Sequence, residues 1–182
     1  MPRIQPLEPS AADANTTALL DGMKKKLGMV PNFLKTMAHA PSALAAYIAF
    51  SGAVAEGKLS VATRERIALA TAQTNGCDYC ASAHQALGKM AGLSAEEIAL
   101  GFAGDSAEPK AKAALAFARQ VLAKRGDVAD ADITAVKEAG FSDGDVFEIV
   151  ANVALNIFTN YANNVAEPDI DFPRAQTVKR AA

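Results

Sequence analysis

At 182 residues, 51% apolar and 21% charged, the chain is long enough for one domain, two at most, with a substantial core. Eighteen basic against twenty acidic residues leave a formal charge of −2, which excludes the electrostatic footprint of a nucleic-acid or anionic-membrane binder. No apolar run approaches the ~20 residues of a membrane span, and two cysteines are too few for a disulfide scaffold.

The N-terminal stretch MPRIQPLEPSAADANTT has no apolar secretory core, so a cytoplasmic protein is expected. Residues 1–15 are Pro-rich and polar and read as an extended arm. A helix is expected from Thr16 to Leu27, stopped by Gly28, and GMVPNF turns into a second short helix that closes before Pro41. From Ser42 a third helix carries Leu44, Tyr47, Ile48, Ser51, Val54 and Ala55 at helical spacing and ends at Gly57. Ser60 then caps a helix that runs through Glu65 and Ile67 to the stop signal Asn75-Gly76.

A helix restarts at Cys77 and continues to about Met90. Ser94-Ala-Glu-Glu97 is a capping box for a short helix, and Pro109 suits the first turn of the next. That helix carries Ala114, Phe117, Ala118, Val121 and Leu122 and stops at Gly126. Asp130 or Asp132 caps a short helix that ends at Gly140. Ser142 opens a long final helix with Val146, Ile149, Val150, Val153, Ile157 and Tyr161 on one side and Asn156, Asn160, Asn163 and Asn164 on the other. The Asn face is expected to be polar surface or interface rather than a substrate wall. The remaining tail, with two prolines, reads as extended and as lying over a neighbouring subunit. No strand pattern is present, so the fold class is all-α, with a helical domain over 16–165, its core at 60–91, and a tail over 166–182. KMAGLSAEEI and KEAGFSDGDV, 48 residues apart, share an Ala-Gly, apolar, Ser-cap pattern that turn chemistry alone can produce.

The chemistry gathers in ERIALATAQTNGCDYCASAH, residues 65–84. On one helix, Cys77, Cys80 and His84 fall within an arc of about 60°. Were residues 65–84 one straight helix, Glu65 and Cys80 would stand roughly 22 Å apart. A break at Gly76 lets the second helix turn back so that Glu65 approaches His84, and puts both thiols at a helix N-terminus, where unpaired N–H groups favour a thiolate. A free thiol of pKa ~8.5 is only about 3% ionised at pH 7, and a shift to ~7 makes it half thiolate. His84 can take the thiol proton directly or through one water, with a carboxylate behind it. Cys80 can then attack a peroxide O–O bond, and Cys77 can condense with the sulfenic acid to a disulfide. Two readings stand beside this one. Cys77, Cys80 and His84 can hold a metal with Glu65 or His39 as fourth ligand, or the thiols are incidental in a non-catalytic helical oligomer. Taken singly, Glu65 is a solvated member of Arg64-Glu65-Arg66, His39 a surface or capping residue, Tyr79 a site wall or a core residue, and Lys24-Lys25-Lys26 a solvated run.

The spacing Glu65, Cys77, Cys80, His84 and the wording NGCDYCASAH resemble the alkylhydroperoxidase D family of the carboxymuconolactone decarboxylase-like superfamily, most closely over residues 28–100 and more loosely to 165. The resemblance implies an all-helical homo-oligomer, a trimer or a hexamer. It also implies a thiol peroxidase without metal or cofactor, with Glu65 in a proton relay, His84 as base, Cys80 peroxidatic and Cys77 resolving. Its substrate would be a small organic hydroperoxide or hydrogen peroxide, its electron donor a dithiol or lipoyl-bearing protein. The best-known members carry a histidine where this chain has Tyr79, a weak proton acceptor that is assigned to the substrate pocket.

Overall fold

The computed structural model describes residues 1–175, and the part of the expected tail over 176–182 lies outside the described residues. Among the described residues there are nine α-helices and no strand. They are α1 (Ala14–Leu27), α2 (Asn32–Met37), α3 (Pro41–Ala55), α4 (Val61–Asn75), α5 (Asp78–Met90), α6 (Ala95–Ala103), α7 (Pro109–Lys124), α8 (Asp130–Glu138) and α9 (Asp143–Ala166). A 3-10 turn at Pro9–Ala11 interrupts the N-terminal arm, and Asp13 caps α1 by accepting from the Thr16 N–H.

The molecule is assembled around α4. Its seven consecutive residues Arg66, Ile67, Ala68, Leu69, Ala70, Thr71 and Ala72 are all buried, so it presents no solvent stripe along that stretch. The small side chains among them let α5, α6, α7 and α9 approach from every side. One core joins α4, α7, α8 and α9 through Ile67, Leu115, Phe117, Val136, Ile149 and Val153. A second collects Leu69, Ala72, Leu93, Ile98 and Phe102 around the two cysteines. A third, built on Leu20, Leu34 and Leu44, closes the N-terminal end.

Hydroxyl caps fix where the helices begin. Ser60, Ser94 and Ser142 each accept a hydrogen bond from the N–H three residues on. For α8 the capping atom comes from inside the helix, where the Asp132 carboxylate reaches back to the Ala129 N–H at 3.0 Å. The two Ala-Gly echoes are turn chemistry: Gly92 and Gly140 are both left-handed, and the apolar residue and Ser cap follow each.

Three expectations change. Asn156, Asn160 and Asn163 do not face solvent; they are buried together with Asn152. At 100° per residue these amides interleave with Ile149 and Val153, so the amides share the apolar face rather than opposing it. Tyr161, assigned to the inner side, is 57% exposed. The described part of the tail also lies over its own chain. Asp171 accepts from the Asn32 N–H at 2.7 Å and from the Tyr79 hydroxyl, and the Ala175 N–H reaches Ser82 Oγ at 3.1 Å. These contacts satisfy backbone groups that a free tail would leave to water, and Ile170 and Phe172 pack on the cysteine core.

Gly76, at φ 57° and ψ 47°, is the left-handed cap that ends α4. Gly76→Ala should lower stability by about 1 kcal/mol and Gly76→Asn by less, read from urea midpoints, because only glycine and, to a lesser degree, asparagine enter this region readily.

Candidate functional site: a buried thiol pair beside an imidazole

The reversal at Gly76 is anchored by the Cys77 N–H, which donates to Ala72 O at 2.9 Å. Beyond it α5 packs back against α4. Glu65, on α4, and His84, on α5, thereby meet, with His84 Nδ1 2.9 Å from Glu65 Oε2. A carboxylate only accepts, so Nδ1 carries the proton. Burial works against charge on the ring, but the Glu65 carboxylate, the neighbouring Cys80 and the Asn156 amide outweigh it, and the His84 pKa is raised above its ordinary value.

Cys77 is the N-cap of α5 and Cys80 sits one turn further in, 1% and 3% exposed. The Cys80 N–H donates to Cys77 Sγ at 3.2 Å. The two thiols also bond each other, and they divide the ionisation between them. Cys77 is the donor, and its hydrogen bond to Cys80, together with burial, pushes its pKa up. Burial pushes Cys80 up as well. The bond from Cys77, the Asn163 amide, the charge of His84 and the Asn160 amide more than reverse this, and the Cys80 thiol is brought down to about 7. Near neutral pH Cys80 is therefore the sulfur that ionises, about half of it as thiolate, while Cys77 keeps its proton.

The amides come from α9. Asn163 Nδ2 lies 3.2 Å from Cys80 Sγ. Asn160 Oδ1 accepts from Asn75 Nδ2 at 3.0 Å, and Asn164 Nδ2 bonds Asn75 O at 2.9 Å, so α9 clamps the end of α4. Sequence reasoning did not place these residues in the site. The signal was available in the helical register, where Asn156, Asn160 and Asn163 fall in the arc of Ile149 and Val153.

A cavity of about 720 Å³ opens beside the pair, lined among others by Gln73, Cys77, Tyr79, Asn163, Asn164 and Arg174. Cys77 lines it and Cys80 lies behind. Tyr79 is both cavity wall and core residue: it is 5% exposed, its ring packs edge-on against Phe33 and Phe172, and its hydroxyl donates to Asp171. Burial, then that hydrogen bond, raises its pKa, so it stays a neutral donor.

His39 stands apart from the thiols, exposed after α2, with Nε2 2.9 Å from Gln5 O. Among the described residues no group of three or more His, Cys, Asp or Glu side chains is arranged to hold a metal ion. No described helix is long and apolar enough to cross a membrane.

Residues 41–120 match the carboxymuconolactone decarboxylase family. A comparison with curated protein sequences returns no match. Among solved structures, the alkylhydroperoxidase AhpD core of an uncharacterized peroxidase-related protein from Ralstonia eutropha JMP134 is 28% identical, with a TM-score of 0.85 over 93% of this chain and 92% of that one. A peroxidase-related protein from Silicibacter sp. TM1040 is 24% identical, with a TM-score of 0.78 over 96% and 93%. The debrominase Bmp8, solved with 2,3,4-tribromopyrrole, shares the fold at 22% identity and a TM-score of 0.78 over 93% and 91%.

Proposed function

Because this chain belongs to the AhpD-like branch of the carboxymuconolactone decarboxylase superfamily, we propose that it is a thiol-dependent peroxidase that reduces a small organic hydroperoxide or hydrogen peroxide. The observation that carries the reading is the division of labour at the pair, a Cys80 thiol brought down to about 7 beside a protonated Cys77 and a Glu65-oriented His84.

The Cys80 thiolate attacks one peroxide oxygen, the O–O bond breaks, and the alkoxide leaves as alcohol after taking a proton from His84. Cys80 is now a sulfenic acid. The Cys77 sulfur displaces that hydroxyl, forming the Cys77–Cys80 disulfide and water, with the Cys77 proton passing to the hydroxyl. A dithiol, free or lipoyl-borne, then reduces the disulfide by exchange and is itself oxidised. Cys77 lines the open cavity, so it is the sulfur an external thiolate reaches. Cys80, with the lower pKa, is the better leaving group in that exchange. No bound cofactor enters these steps. Glu65 orients and charges His84, and Tyr79 walls the cavity.

The test is a stoichiometric pulse of cumene hydroperoxide on the reduced protein, with thiols counted before and after. One equivalent should remove two thiols and yield one disulfide, and dihydrolipoamide should sustain turnover. Cys80→Ser should leave the peroxide untouched. The fold also serves a debrominase, so 2,3,4-tribromopyrrole belongs in the same assay. Thiol loss with the bromopyrrole and none with either peroxide would overturn the reading.

A further inference from the structure

Asn160 is fully buried, and its Nδ2 has no hydrogen-bond partner. A buried amide N–H left unpaired costs about 1–3 kcal/mol, so native structures tolerate it only where something else repays it. The orientation of this amide is fixed, because Oδ1 accepts from Asn75 Nδ2 at 3.0 Å, which turns Nδ2 the other way. The amide stands close enough to Cys80 to be among the groups that lower that thiol, while Asn163 Nδ2, three residues on along the same face of α9, bonds the sulfur itself at 3.2 Å. One of the two amides is thus satisfied by the resting sulfur, and the other is not.

We infer that Asn160 is a catalytic residue whose Nδ2 donates to the peroxide oxygen being transferred to Cys80, and then to the oxygen of the sulfenic acid. An oxygen arriving on Sγ brings an acceptor into the one place where a buried donor lacks one. In the resting enzyme that donor has only a contact with the sulfur too poor to count as a hydrogen bond, although it helps lower the thiol. In the transition state the S–O bond is forming and negative charge spreads over both peroxide oxygens, so the donor is fully satisfied only there and afterwards. An interaction stronger in the transition state than in the ground state accelerates the chemical step rather than binding. Asn163 has a separate part, positioning the thiolate before the peroxide arrives. The atoms balance as in the peroxidase cycle, with no additional reactant.

The inference rests on the peroxidase reading, and two rates tell their failures apart. Cys80 alkylation by iodoacetamide needs only the thiolate, whereas peroxide reduction also needs the oxygen to be received. In Asn160→Ala and the near-isosteric Asn160→Leu, the rate constant for cumene hydroperoxide should fall about 10–100-fold, a share of what one lost oxyanion donor costs. The alkylation rate, compared at equal thiolate fraction from its own pH profile, should stay within about threefold. If wild type itself does not consume peroxide, the peroxidase reading fails. If wild type reacts and both rates fall together, or neither falls, Asn160 is only the clamp on Asn75 and the inference is overturned. Should both variants fail to fold, the Cys77→Ser protein decides instead. One equivalent of hydrogen peroxide should leave Cys80 as sulfenic acid and move the Asn160 side-chain N–H signals downfield in a ¹⁵N spectrum, and unmoved signals would overturn the inference.

Discussion

Replacing His84 with alanine will slow peroxide reduction at pH 7 by at least 100-fold and move the ionisation of Cys80 to higher pH. Two losses combine. His84 charge is one of the influences that bring the thiol down to about 7. Without it the thiol moves back toward its ordinary ~8.5 while Cys77 and Asn163 still hold it down; a full return would cut the thiolate fraction at pH 7 from about half to about 3%, roughly 15-fold. The second loss is the proton for the departing alkoxide, a general-acid contribution of about 10²–10⁴. The pH profile separates them. Thiolate is the reactive form, so wild-type reactivity rises with pH through about 7 and declines once His84, whose pKa is raised, gives up its proton. In His84→Ala, iodoacetamide alkylation should recover by pH 9 while peroxide reduction does not. Equal recovery of both would show that His84 acts on ionisation alone.

Glu97→Ala should destabilise the fold by about 3–5 kcal/mol, far more than a surface carboxylate. Arg66 is buried within α4, and its Nε lies 2.7 Å from Glu97 Oε2 on α6. The same carboxylate accepts from Ser106 Oγ at 2.7 Å and from the Ala107 N–H at 2.8 Å. Removing it strands a guanidinium in the core with only the more exposed Glu108, 3.3 Å away, to answer it. The double variant Arg66→Met/Glu97→Leu should recover most of the loss, because no charge then remains to be solvated. Urea midpoints of the three proteins decide the matter. Burial raises the Glu97 pKa, but the Ala107 N–H, Ser106 and Arg66 prevail and lower it. Its stabilisation is therefore complete above the ordinary glutamate value of about 4.3 and is lost as pH falls through the lower folded value.

Local signals in the sequence carried the helix order and the geometry of residues 65–84. Asn75-Gly76 marks the reversal, three serines mark helix starts, and a twenty-residue stretch holds Glu65, both cysteines and His84. All of that chemistry is settled by neighbours in sequence. The amide wall was missed because a run of asparagines in a helix suggests solvent, whereas burial was decided by partners 83 to 89 residues away, at Cys80 and Asn75. The tail was misdirected for a similar reason. A Pro-flanked stretch has no periodicity to say which surface it crosses, and Asp171 finds Tyr79 across 92 residues.

The different ranges of these contacts bear on how the protein is born. Closing the turn between α4 and α5 joins Glu65 to His84 across only 19 residues, an inexpensive loop that can form early. Asn160 and Asn163 arrive only when the last helix docks, long after both cysteines have been synthesised. Until then the Cys80 sulfur lacks two of the groups that acidify it and remains closer to an ordinary, sluggish thiol. Docking of α9 is thus the event that completes the acidification of Cys80, and in a half-folded chain that sulfur keeps closer to the ionisation of a free thiol.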